Sequence, residues 1–341
     1  MEYSILKSIP ETLRKPPQPA VANHTVVPRK ERLASGTRFE PVFGFMTQFA
    51  AFLLIATMGA IFLLLLYRSF PVFHTFGFSF ITSSSWNPVT NKFGALAPIS
   101  GTILTSFIAI LVGTPLALGV AFFLNEICPF RMRSLLITTV ELLAAIPSII
   151  YGMWGLFVLV PLMAKHIQPA MIGWFGPLPL IGGLFQGPPF GIGILTAGLI
   201  LSVMILPFIA SVSLQAFAAV PVALREAAYG TGASVWEVCR RILIPYTRNG
   251  IIGAIMLGLG RALGETMAVT FVIGNAHRIQ ASIFAPGTTI SAALANEFTE
   301  AFGDMYLSSL LALGLILFVI TFIVLMATRL LLHSINRSIP L

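Results

Sequence analysis

The chain has 341 residues, of which 57% are hydrophobic and only 9% charged, where an ordinary soluble domain is roughly a quarter charged. Twelve Asp and Glu cannot coat a water-soluble body of this length, and a mean hydropathy of +0.92 excludes a soluble globular enzyme. The net charge of +8 does not point to nucleic acid either, because no basic cluster is interleaved with aromatics.

In chain order, residues 1–42 form a polar tail with Pro16, Pro17, Pro19 and Pro28 and no apolar core. The tail lacks the apolar stretch of a signal peptide, and its composition predicts disorder. Six apolar runs follow, at about 44–67, 100–124, 134–160, 191–214, 249–273 and 307–332. Each is long enough, at ~1.5 Å per residue, to cross a ~30 Å hydrocarbon layer as a helix. The expected fold is therefore an all-α integral membrane protein, with a six-helix domain over 43–333 and a short tail at 334–341. Pro115, Pro147 and Pro207 fall inside runs, as membrane helices tolerate when neighbours satisfy the freed backbone groups.

The basic residues set the orientation. With the N-terminus inside, fifteen Lys and Arg lie in the cytoplasmic tails and loops, four lie outside, and Arg261 sits within a run. Both termini are then expected in the cytoplasm of a bacterial inner membrane. Cys128 and Cys239 fall on that reducing side and should stay thiols. No spacing among the cysteines and scattered histidines suggests a metal site. The outer stretches 68–99 and 173–193 read equally as partner surface or as packed connectors.

The 218–248 loop reads as two short helices. Pro221 opens the first, Gly230 and Gly232 break it, and a second runs over about 234–243 before Pro245. Helices this short are not stable alone; they dock on a partner or lie on the membrane as an amphipathic element.

Three ionisable residues lie inside runs: Glu141, Arg261 and Glu265. Each costs about 2.5–3.5 kcal/mol at a helix centre on insertion scales, and such groups face the bundle interior. Arg261 and Glu265 are four apart, one turn on one face. On a helical wheel they lie amid Gly250, Ala254, Gly258, Ala262, Gly264 and Ala268. Ile252, Ile255, Met256, Leu259 and Leu263 fall opposite. The pair is either a buried structural bridge or a charged point on a solute route. Glu141 shares a stripe with Ser134, Thr138, Ala145, Ser148 and Gly152 along the third run, and either hydrogen-bonds there or joins the same route.

Several motifs carry a family likeness. Glu226-Ala227-Ala228, then Gly232, Ile242 and Pro245, resemble the EAA loop of bacterial ABC importer permeases, with Ile242-Leu243-Ile244-Pro245 where Ile-x-Leu-Pro is usual. The stretches GLGRALGETMAVTFVIGN (258–275), AIPSIIYGMWG (145–155), TISAALANEF (289–298) and LGLILFVITF (313–322) resemble the phosphate-specific permeases of that group. The likeness covers about 45–332. It implies a type I ABC importer permease fold and import of inorganic phosphate. It also implies a second, PstA-like permease subunit, two copies of a cytoplasmic ATPase docked on the 218–248 loop, and a periplasmic phosphate-binding protein. Arg261 and Glu265 match the family's transport-linked charges. No Gly-x-x-x-x-Gly-Lys-Ser/Thr loop occurs, so the chain is expected to lack its own ATPase site, and no cofactor is implied. A permease for molybdate or sulfate, or a membrane component of phosphate-starvation signalling, are the alternatives.

Overall fold

Apolar runs this long have no water to satisfy their peptide groups in lipid, so each must close its hydrogen bonds within a helix. The computed structural model describes residues 40–179 and 181–337. The expected tails, at 1–39 and 338–341, lie outside the described residues. Ten helices organise the account: α1 (Glu40–Phe76), α2 (Leu96–Ile127), α3 (Phe130–Ala145), α4 (Ser148–Phe175), α5 (Ile194–Ala218), α6 (Val222–Gly230), α7 (Val235–Leu263), α8 (Met267–Ile273), α9 (Ile290–Glu297) and α10 (Asp304–Arg337). Six of them, α1, α2, α4, α5, α7 and α10, are long and apolar enough to cross a membrane. The chain divides into two units within α1, between Gly59 and Ala60. The described part of the first is one apolar helical stretch; everything below concerns the second.

α5 forms the centre of this bundle. It packs along α2 and α7 and touches α3 and α8. Small residues explain the closeness. A Cβ on Gly198 would stand 2.6 Å from the side chain of Ile108 on α2, so only glycine admits that crossing. Around the seam Ile200, Leu201, Met204 and Ile205 are fully buried with Ala109 and Val272. A second cluster, with Val72, Phe80, Phe93, Tyr306 and Leu310, closes one end. A third, with Leu124, Phe217, Val238 and Leu243, closes the end that carries the 218–248 hairpin.

Two expected spans are divided differently. The continuous helix read over 134–160 is broken at Ile146, whose ψ of 129° is extended, because the ring of Pro147 disfavours helical geometry in the residue before it. α3 has no buried side chain, and Ser134, Thr138 and Glu141 are exposed. Glu141 thus sits on a helix preceding the membrane-crossing α4, and no single stripe runs from it to Gly152. The run 249–273 is likewise two pieces, α7 and α8, separated by Gly264, Glu265 and Thr266. At its other end α7 starts at Val235, so the second hairpin helix does not stop before Pro245. It passes through a wide π-helical turn at Cys239–Leu243 and becomes the fifth span.

Candidate functional site

Arg261 lies in the last turn of α7, half-buried. Its guanidinium carbon stands 4.4 Å from the ring centre of Phe208 on α5, a cation–π contact that fixes the plane of the fork. Its Nε is buried without a hydrogen-bond partner. The head lines an open, largely apolar groove of about 520 Å³ with Phe208, Gly253, Met256, Leu257, Gly260 and Leu325. Of the small residues expected around it, Ala254, Gly258, Ala262 and Ala268 are buried, Gly250 is half-buried and Gly264 is exposed. Leu263, expected on the lipid side, is buried as well.

Glu265 is not the helical neighbour that the spacing predicts. The helix ends at Leu263, and no ion pair joins Arg261 to Glu265 among the described residues. The Glu265 side chain is buried and turns forward, its Oε1 accepting the backbone N–H of Ala268 at 3.3 Å. A carboxylate in this position satisfies an orphan donor of the first turn of α8 and meets the positive end of its backbone dipoles. The two charges therefore serve different elements. The signal for the break was present in Gly264-Glu265-Thr266, a helix-stop residue followed by capping types.

The hairpin is built from local rules. α6 ends in a Schellman turn: Gly232, at φ +86°, donates its N–H to the Tyr229 carbonyl and Ala233 donates to that of Ala228, a geometry that favours glycine. Ser234 and Glu237 then form a reciprocal capping box that starts α7. Glu226, Ala227 and Pro245 are exposed, whereas Ala228 and Ile242 are half-buried and pack on the third apolar cluster. Val222, Leu224, Val235 and Trp236 stand exposed around the turn.

Sequence reasoning missed two polar constellations because their members are remote in the chain. At the hairpin end, Glu126 binds Arg225 and Tyr229. At the opposite end, Glu297 receives hydrogen bonds from Trp86 and Tyr306, each at 2.7 Å, and meets His277 Nε2. Trp86 and His277 stack at 4.9 Å. Burial raises the Glu297 pKa, but hydrogen bonds from His277 and Tyr306, with the charge of His277, outweigh it and hold the carboxyl below its ordinary value.

A family model described as binding-protein-dependent transport system inner membrane component matches residues 113–337. The chain belongs to that family. It is 58% identical to a Mesorhizobium japonicum protein named phosphate transport system permease protein PstC, over 90% of this chain and 95% of that one. A Pasteurella multocida protein of the same name is 52% identical over 88% and 93%. A Methanocaldococcus jannaschii protein, named as a probable one, is 38% identical over 76% and 82%. Among solved structures, a bacterial alginate ABC transporter crystallised with its periplasmic protein superposes with a TM-score of 0.57 at 18% identity, over 90% of this chain and 98% of that one. The inward-facing MetNI methionine ABC transporter gives 0.50 at 17% identity, over 70% and 94%. These likenesses place the six spans of this inner membrane transport component in the type I ABC importer permease fold.

Proposed function

We propose that this chain is the permease subunit of an ATP-driven importer of inorganic phosphate. It forms half of the translocation pathway beside a second, related permease subunit. The observation that carries the substrate class is the 58% identity across 95% of a relative named for phosphate transport. The physical account starts at Arg261. Its planar fork suits phosphate oxygens, Phe208 orients it, and its unpartnered Nε is a donor that an anion would satisfy. Because Glu265 is engaged with α8, Arg261 needs no release from a carboxylate before it meets the solute. The buried negative charge of Glu265 nearby disfavours a long stay of the anion and so aids onward passage.

The basic bias of the loops supports placing both termini and the hairpin in the cytoplasm. There the exposed Glu226 and the apolar rim of Val222, Leu224 and Trp236 suit a cleft on a separate ATPase, present in two copies, one for each permease. The opposite face, poor in Lys and Arg, receives a periplasmic phosphate-binding protein. Glu141, exposed on α3, lies on the route only if the second subunit covers it.

The test is labelled-phosphate uptake in a strain lacking its own permease, with the ATPase, the partner subunit and the binding protein supplied. Uptake suppressed by excess phosphate but not by molybdate or sulfate is the expected result. Suppression by molybdate or sulfate alone would assign another oxyanion. Altered phosphate-regulated expression with normal uptake would assign a signalling role.

A further inference from the structure

We propose that Glu126 is a positioning residue of the coupling machinery: it clasps the hairpin helix α6 to the end of α2 and so passes movement of the hairpin into the membrane bundle. This rests on the reading that an ATPase docks on the hairpin. It adds the joint through which such docking acts.

The geometry begins with a shortage of apolar hold. α6 has nine residues, none of them buried, and a helix of that length is not stable alone. Among the described apolar clusters it contributes one member, the half-buried Ala228. What fixes it is polar. Arg225 and Tyr229 are four apart on one face, turned to Glu126, whose side chain is only 7% exposed. Glu126 Oε1 accepts from Arg225 Nη1 at 3.1 Å and from Asn125 Nδ2 at 2.7 Å. Its Oε2 accepts from the Tyr229 hydroxyl at 2.9 Å. Arg225 Nη2 donates in turn to the Val220 carbonyl at 3.1 Å, just beyond α5. Asn125 Oδ1 accepts from Arg133 at 3.4 Å, at the start of α3. One carboxylate thus joins α2, α6, the exit of α5 and the entry of α3.

The opposite face of α6 carries Ala223 and Ala227, both exposed, while Val222 and Glu226, also exposed, flank the clasp. α6 is therefore a two-sided plate, with one side free for a docked partner and the other riveted to Glu126. Burial first, then the hydrogen bond and charge of Glu126, raise the Tyr229 pKa, so its hydroxyl remains a donor. Glu126 itself sits in the π-helical turn Phe123–Ile127, and such turns recur at functional positions in helices. A buried charge pair is a weak source of net stability against an apolar substitute; here it sets the register between two elements that little else joins.

The test uses the complete reconstituted complex, with its ATPase, partner permease and binding protein, and measures phosphate taken up per ATP hydrolysed together with ATPase retention on purification. Glu126→Ala is expected to keep the ATPase bound and hydrolysis running while uptake per ATP falls about tenfold, within the range of coupling between linked sites. Glu126→Arg combined with Arg225→Glu is expected to recover part of the loss. Tyr229→Phe, which keeps the ion pair and removes one hydrogen bond, is expected to lower the ratio by a smaller factor, and it decides the matter if Glu126→Ala does not assemble. Unchanged uptake per ATP in Glu126→Ala, or in Tyr229→Phe where the former is lost, overturns the clasp while leaving the transport function intact. Failure of the unaltered complex to retain the ATPase overturns both.

Discussion

Replacing Arg261 by glutamine removes the guanidinium while leaving a shorter, polar, uncharged side chain. Two effects can be weighed. On the apo side, the change loses the contact 4.4 Å above Phe208, a term of about 1–2 kcal/mol for a desolvated cation–π pair. It orphans no carboxylate, because Glu265 is held by the Ala268 N–H. On the transport side, two charge-assisted hydrogen bonds to a phosphate oxyanion contribute about 1.5 kcal/mol or more each. Their joint loss, about 3 kcal/mol, slows passage about a hundredfold. Arg261→Gln is thus expected to abolish measurable phosphate uptake in the permease-null strain while the complex purifies intact. Arg261→Lys keeps the charge without the fork and should lie between the two. Disassembly of the Arg261→Gln complex would refute the reasoning, since it would make the side chain a structural strut. So would uptake within twofold of the unaltered protein.

Glu265→Ala removes the acceptor at the start of α8 and should lower the thermal stability of the purified permease by about 1 kcal/mol, the usual worth of such a cap, with Glu265→Gln losing less. Gly232→Ala forces a side chain into φ +86°, a strain of about 1 kcal/mol; limited proteolysis of the hairpin should speed up, and unchanged cleavage would count against the turn. Glu297 has a folded-state pKa below its unfolded value. The stability it confers is complete above the unfolded carboxylate value and is lost as pH falls through the lower folded one. Trp86, hydrogen-bonded to it, should report that loss by fluorescence, and Glu297→Gln should flatten the acid limb of the profile.

The number of spans and their approximate positions were legible in the sequence because long apolar runs have one solution in lipid. Their interruptions were not, for a reason visible in two places. Hydropathy averaged across Ile146 and Pro147, and across Gly264 to Thr266, stays high, while the backbone responds to single residues there. Ser134, Thr138 and Glu141 were read as the start of one stripe running on to Gly152, which the break at Ile146 cuts short. They line a helix without a buried side chain and not the inside of a span, because a stripe shows that a face is polar without saying what it meets. The EAA-like residues could be placed from local spacing, since Gly232 and the capping pair Ser234 and Glu237 act within one turn. Glu126 could not, as its partners Arg225 and Tyr229 lie about a hundred residues on and a lone acid at the end of an apolar run announces no partner.

The interruption at Gly264–Thr266 changes what the fifth span can pass along. A seamless rod hands a twist from tip to tip undiminished, whereas two rods with a slack splice hand over little of it. α8 is clamped on its far side, where a Cβ on Gly152 of α4 would come within 3.0 Å of Ala268. Arg261 rides on the near rod, whereas Glu265 is tied to the far one through the Ala268 N–H. The guanidinium and its acidic companion are thus mounted on different rods, and no shared helix fixes the distance between them.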